Sequence, residues 1–199
     1  MDEINIKLIK QCKHSISYES SGFSSVYKNP VLGEKISKFP QMIQQSLPDY
    51  VIIVLFQLLE SQWDIPFQEN ELPISEIRDS KGRLRKGYRI LAIDGKYDLS
   101  IFKKIWEMSA ASGFGLYMVC IKKEDYRNNS DFLMNTFCEL PLFNCYWDDY
   151  ELINYNDRFL GKWQKSALVI VLAFDGDVLI INTTSDLQFV VDKIKDYFA

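Results

Sequence analysis

Residues 167–182 read ALVIVLAFDGDVLIIN. Two apolar runs, Ala167 to Phe174 and Val178 to Asn182, flank Asp175-Gly176, a dipeptide that suits the tight turn of a β-hairpin. The first run is apolar at every position, so it fits a strand covered on both faces and interior to a sheet. Downstream, Ser185 or Asp186 is placed to cap a last helix to Tyr197, with Leu187, Val190, Val191 and Ile194 at the spacing of an inward face. Upstream, Arg89 to Ile93 and Leu116 to Ile121 read as strands, with an amphipathic helix from Leu99 to Ser112 between them. Asp98 is its expected N-cap, Ile101, Ile105, Trp106 and Met108 its inner side, and Gly113 its stop. Strand, helix and strand on short loops predict a βαβ unit with parallel strands and a right-handed crossover. Ser130 to Cys138 reads as a further short helix.

Ahead of these, Asp79-Ser80-Lys81-Gly82 marks a turn between Ile77 and Leu84, so residues 74–89 are expected to form a hairpin. The N-terminal part is expected to be mainly helical. Ile4, Leu8, Ile9 and Cys12 make a helical stripe, and Ile36 to Gln45 a short helix broken at Pro40. Ser46 and Pro48 look like the start of a buried helix to Trp63; the rival reading is a strand, because Val51, Ile52, Ile53 and Val54 are β-branched. Ser15 to Gly33 reads as an irregular connection. The expected fold is α/β or α+β, a mixed sheet in a single domain over residues 1–199, with residues 1–73 as a possible helical subdomain.

The chain has 199 residues, 47% apolar and 25% charged, which is ordinary globular composition. A net charge of −4 argues against a nucleic-acid ligand, because phosphate binding favours a basic face. The start, MDEINIKLIK, has no apolar run of a signal peptide, and no stretch approaches the roughly 20 apolar residues of a membrane span. A cytoplasmic protein with reduced thiols at Cys12, Cys120, Cys138 and Cys145 is therefore expected.

Catalytic patterns are tested in turn. The glycines at 113 and 115 follow a helix rather than precede one, the wrong order for a phosphate loop. His14 is the only histidine, which leaves Ser- or Cys-based catalysis and histidine metal sites without support. A nuclease of the PD-(D/E)xK type would use Asp94 and then an acid in the next strand, where Cys120-Ile121-Lys122 stands instead. The pairs Asp148-Asp149, Asp175 with Asp177, and Asp94 with Asp98 could serve carboxylate chemistry, yet adjacent acids are common on surfaces. No cofactor and no metal are expected. Arg78, Lys81, Arg83, Arg85, Lys86 and Arg89 make one basic arm, read first as a solvated hairpin and second as a contact for phosphate or an acidic partner.

Asn128 to Asp157 contains no lysine or arginine. Its core, Phe143-Asn144-Cys145-Tyr146-Trp147-Asp148-Asp149-Tyr150-Glu151-Leu152-Ile153-Asn154-Tyr155, crowds aromatics among carboxylates. Tyrosine and tryptophan dominate interface hot spots, and carboxylates steer basic partners. The expected partner-binding residues are Tyr146, Trp147, Asp148, Asp149, Tyr150, Glu151, Tyr155 and Asp157. The bland alternative makes Phe143, Trp147 and Ile153 core and the acids a rim. On these residues the chain resembles the immunity proteins that neutralise bacterial toxins, which implies a cognate toxin as partner and no enzymatic activity. Leu47-Pro48-Asp49-Tyr50 is similar to a helix start in one large immunity superfamily. That group's following Asn-Gly-Gly is replaced here by Glu60-Ser61-Gln62, so the chain is not placed in it. The alternatives are a carboxylate-dependent hydrolase or nuclease, and a nucleic-acid-binding accessory protein using the Arg78 to Arg89 arm.

Overall fold

A computed structural model describes residues 4–21, 30–57, 74–78, 84–93, 102, 105, 116–139, 149–173 and 178–199. The hairpin at residues 167–182 lies where its apolar faces require, inside the sheet. Its strands, β7 (Ala167–Ala173) and β8 (Val178–Thr183), pair antiparallel. The other strands are β1 (Asn5–Gln11), β2 (Ile16–Ser21), β3 (Tyr50–Gln57), β4 (Ile74–Arg78), β5 (Leu84–Ile93) and β6 (Leu116–Lys122). The sheet order is β1-β2-β8-β7-β6-β3-β5-β4, and each described pairing is antiparallel. The architecture is α+β.

Helices cover both faces. On one side α1 (Pro30–Ser46) and α5 (Gln188–Phe198) pack with the helical residues Phe102 and Ile105 over Ile52, Val54, Met118, Ile170 and Ile181. On the other, α3 (Ser130–Glu139) and α4 (Asp149–Trp163) pack over Val51, Ile53, Val119, Val169 and Ile180. The short α2 (Lys123–Asn128) joins β6 to α3. Strand residues alternate between the two cores, which is why β3, β6 and β7 are apolar at nearly every position.

The N-terminal part departs from the helical expectation, since its described residues supply three strands and one helix. Ile4, just before β1, and Ile6 and Leu8 within it stand at alternate positions, a period of two that competes with the helical stripe. Pairing with β2 decides for the strand. Ile16 and Tyr18 alternate within the serine-rich stretch that reads as irregular. β3 is the β-branched run itself, and a sheet covered on both faces buries Val51 to Phe56 throughout. Ser46 therefore ends α1 instead of opening a helix; the Leu47 amide donates to Ile43 O, and Pro48 follows the stop. α1 also runs through Pro40, although an interior proline costs about 3 kcal/mol. Buried Ile36, Phe39, Ile43 and Leu47, spaced three, four and four, supply the opposing apolar face.

The mixed sheet is corrected in the same way. β5 and β6 point in one direction but are not neighbours, because β3 lies between them and runs antiparallel to both. Phe102 and Ile105 are helical and buried; the rest of the expected helix at 99–112 lies outside the described residues. The hairpin at 74–89 is present as β4 and β5, with its turn outside the described residues. At the C-terminus a 3-10 turn at Ser185–Leu187 precedes α5, and neither Ser185 nor Asp186 is the cap. Leu187, Val190, Val191 and Ile194 are buried as their spacing predicts.

Cys120 stands in β6 with its side chain fully buried, and burial pushes its thiol up to about 12. A thiol held protonated and inaccessible is a poor nucleophile. Site-resolved alkylation at neutral pH should therefore label half-buried Cys12 in the native protein and reach Cys120 only as the sheet unfolds. Equal rates at the two would contradict this placement.

Candidate protein-binding face

The described part of the Phe143 to Tyr155 core of the acidic-aromatic window lies in α4. Its stripe of Leu152, Ile153, Phe159, Leu160 and Trp163 lies on the sheet, at spacings a helix brings to one face. The Phe159 and Trp163 rings stack, and Phe137 of α3 stacks on Phe159. Glu151, Asn154, Arg158 and Lys162 occupy the outer side and are exposed.

Among the expected contact residues, Glu151 reaches solvent. Tyr155 is half-buried against the α4-side core, with the Arg158 guanidinium 5.8 Å from its ring centre. Asp149 and Tyr150 open α4, whereas Tyr146, Trp147 and Asp148 lie outside the described residues. Asp157 turns the other way. Its Oδ1 accepts from the His14 backbone N–H at 2.8 Å and from Ser15 Oγ at 2.9 Å, tying the β1–β2 turn to α4. The His14 ring lies over Gly161 one turn on, where a β-carbon would come within 2.5 Å of it. His14 is thus exposed in a strand-to-strand turn.

Asn156 sits amid the apolar stripe, fully buried, and starts a polar chain that sequence reasoning missed. Tyr117 Oη donates to Asn156 Oδ1 at 2.7 Å, and Asn156 Nδ2 donates to Asn182 Oδ1 at 2.9 Å. Asn182 Nδ2 donates to Ser17 Oγ at 2.6 Å and Ser15 Oγ at 3.1 Å, and Ser15 passes the chain to Asp157. The donors all point towards the carboxylate, so each bond polarises the next. Burial, and then the nearby Tyr155, hold the Tyr117 phenol well above its ordinary value, so it stays a donor. The signal for this chain was present in the sequence: an asparagine inside an apolar helical stripe and another ending an apolar strand.

A second polar cluster lies where β7 begins and β8 ends. Ser166 Oγ donates to Asp186 Oδ2, and Lys165 pairs with Asp125 of α2. Burial works to raise the Asp186 carboxyl, but hydrogen bonds from Ser166 and Thr184, with the Lys122 charge, outweigh it and leave it below the usual range. A depressed folded pKa gives stability that is present above the unfolded carboxylate value, about 3.9, and lost as pH falls through the folded one. Asp186→Asn should therefore flatten the acid limb of a stability–pH profile measured by urea unfolding. An unchanged limb would contradict the assignment.

The carboxylate pairs at Asp94 with Asp98 and Asp175 with Asp177 lie outside the described residues, as do Lys81 and Arg83 of the basic arm. Arg78 ends β4; Arg85, Lys86 and Arg89 belong to β5, where Arg89 is half-buried. Among the described residues no three His, Cys, Asp or Glu side chains converge on a metal-sized site. No described helix is long and apolar enough to cross a membrane. No family model, curated protein or solved structure matches the chain.

Proposed function

We propose that this chain is a protein-binding module, an immunity protein that binds and neutralises a bacterial toxin effector in the cytoplasm through its acidic-aromatic face. The supporting observation is the way α4 is held. Its inner side is locked by packed aromatics and by Asn156, and Asp157 fastens the neighbouring turn. Its outer side carries Glu151, Asn154, Arg158 and Lys162 in the open. A recognition surface on a rigid helix loses little freedom on binding, which favours affinity. The carboxylates steer a basic partner, and the aromatics supply the buried anchors. The reading requires no cofactor and no metal. It takes residues 99–112 as the crossover helix between β5 and β6, away from this face.

The test is capture of a toxin encoded beside this chain, compared between wild type and Tyr150→Ala. Wild type should retain the toxin and block its activity, while the variant folds normally and loses it. Metal-dependent turnover by the chain alone, abolished by Asp94→Ala or Asp98→Ala, would replace this reading with the hydrolase or nuclease one. Salt-sensitive DNA or RNA binding, lost when Arg83, Arg85 and Lys86 become alanine, would replace it with the nucleic-acid one.

A further inference from the structure

β1 ends the sheet at one side; among the described strands it pairs with β2 alone. An edge strand presents unpaired backbone groups, and proteins usually blunt it by brevity, proline, charge or a bulge. β1 is seven residues long and holds no proline. Its register slips by one residue between Leu8 and Lys10. Its exposed side chains are sorted by face. Lys7 stands opposite Glu19 and Lys10 opposite Ser17, both on the α4 side. Leu8 stands opposite Tyr18 on the α5 side, 61% exposed, near the Lys195 ammonium that sits 5.0 Å from the Tyr18 ring centre.

We propose that the outer edge of β1 accepts an added strand from a partner protein, an extended segment with carboxylates on its α4-side face and an apolar residue against Leu8. Backbone hydrogen bonds supply affinity in such strand addition, and alternate side chains supply selectivity. A second copy of β1 is the obvious competitor for the edge. Two-fold pairing would bring the lysines of one copy up to those of the other, and like charges across strands destabilise the pair. The same lysines attract an acidic strand, so the charge that prevents self-pairing selects the partner. This edge is independent of the α4 face, and either reading can fail alone.

The experiment uses the full chain and two short capped peptides, one alternating glutamate with valine and one alternating lysine with valine. Fluorescence anisotropy should show the acidic peptide binding roughly tenfold tighter or better, with affinity falling as salt rises. Hydrogen exchange should show new protection at the β1 amides. Lys7→Glu with Lys10→Glu, both at exposed positions, should reverse the order of the peptides. Equal affinities, no binding at millimolar peptide, protection away from β1, or a wild-type dimer held through β1 would each overturn the proposal. If the double variant misfolds, the salt dependence and the exchange pattern of wild type decide it.

Discussion

Asn182→Ala should lower the unfolding free energy by about 3–5 kcal/mol, far more than loss of a small polar side chain costs at a surface. The reason lies in what remains behind. Asn182 stands between Asn156 on α4 and Ser15 and Ser17 at the β1–β2 hairpin, all of them buried. Alanine leaves the Asn156 amide without its acceptor and removes one of two partners from each hydroxyl, since Ser15 keeps Asp157 and Ser17 keeps Cys12. An orphaned buried group costs about 1–3 kcal/mol, and the cavity and the hydrogen bonds lost on both sides of the missing amide add to it. Tyr117→Phe, which removes the first donor of the same chain, should cost about 1–3 kcal/mol. The two changes do not touch one another, yet they share Asn156, so a double-mutant cycle by urea unfolding should show coupling above about 0.5 kcal/mol. Strict additivity, or a cost for Asn182→Ala below about 1 kcal/mol, would mean that the chain does not act as a unit.

The second large effect concerns the partner. If the proposed function holds, Tyr150→Ala should weaken toxin binding by at least about 2 kcal/mol, roughly thirtyfold, with the loss appearing in dissociation. Asp148→Asn with Asp149→Asn should act instead on association, most strongly at low ionic strength where screening is least. Stopped-flow kinetics on the two variants separates these effects. Slower association in the tyrosine variant, or faster dissociation alone in the aspartate variant, would contradict the division of labour assigned to the window.

Legibility in the sequence followed how local the deciding interactions are. The antiparallel β7–β8 pair and the inner face of α5 were readable because runs of apolar residues specify them from within, while the Asp175-Gly176 turn lies outside the described residues. β1 and β3 were not, and for different reasons. Ile4, Ile6, Leu8 and Ile9 satisfy a period of two and a period near four together, and only pairing with β2 chooses between them. Val51 to Phe56 is apolar all round, which a buried helix and a doubly covered strand share; the chain forms the strand because β5 and β6 flank it. β6 was legible as a strand but not its neighbour, since the insertion of β3 beside it depends on residues some sixty positions away in sequence. At the candidate site, the aromatic and acidic character was plain, while the inward turn of Asp157 depends on the distant His14 and Ser15. The stripe that makes α4 a helix, Leu152, Ile153, Phe159, Leu160 and Trp163, was available and was overshadowed by the aromatic crowding before it.

The central claim is that the acidic-aromatic window is a surface for a protein partner. Hydrogen–deuterium exchange of the chain, with and without the toxin that the proposed function assigns to it, tests this most directly. The account predicts that protection on binding concentrates in residues 141–158, with the core strands β6 and β7 unchanged. Protection confined to the 78–89 arm or to another face, with the window exchanging as in the free chain, would contradict it.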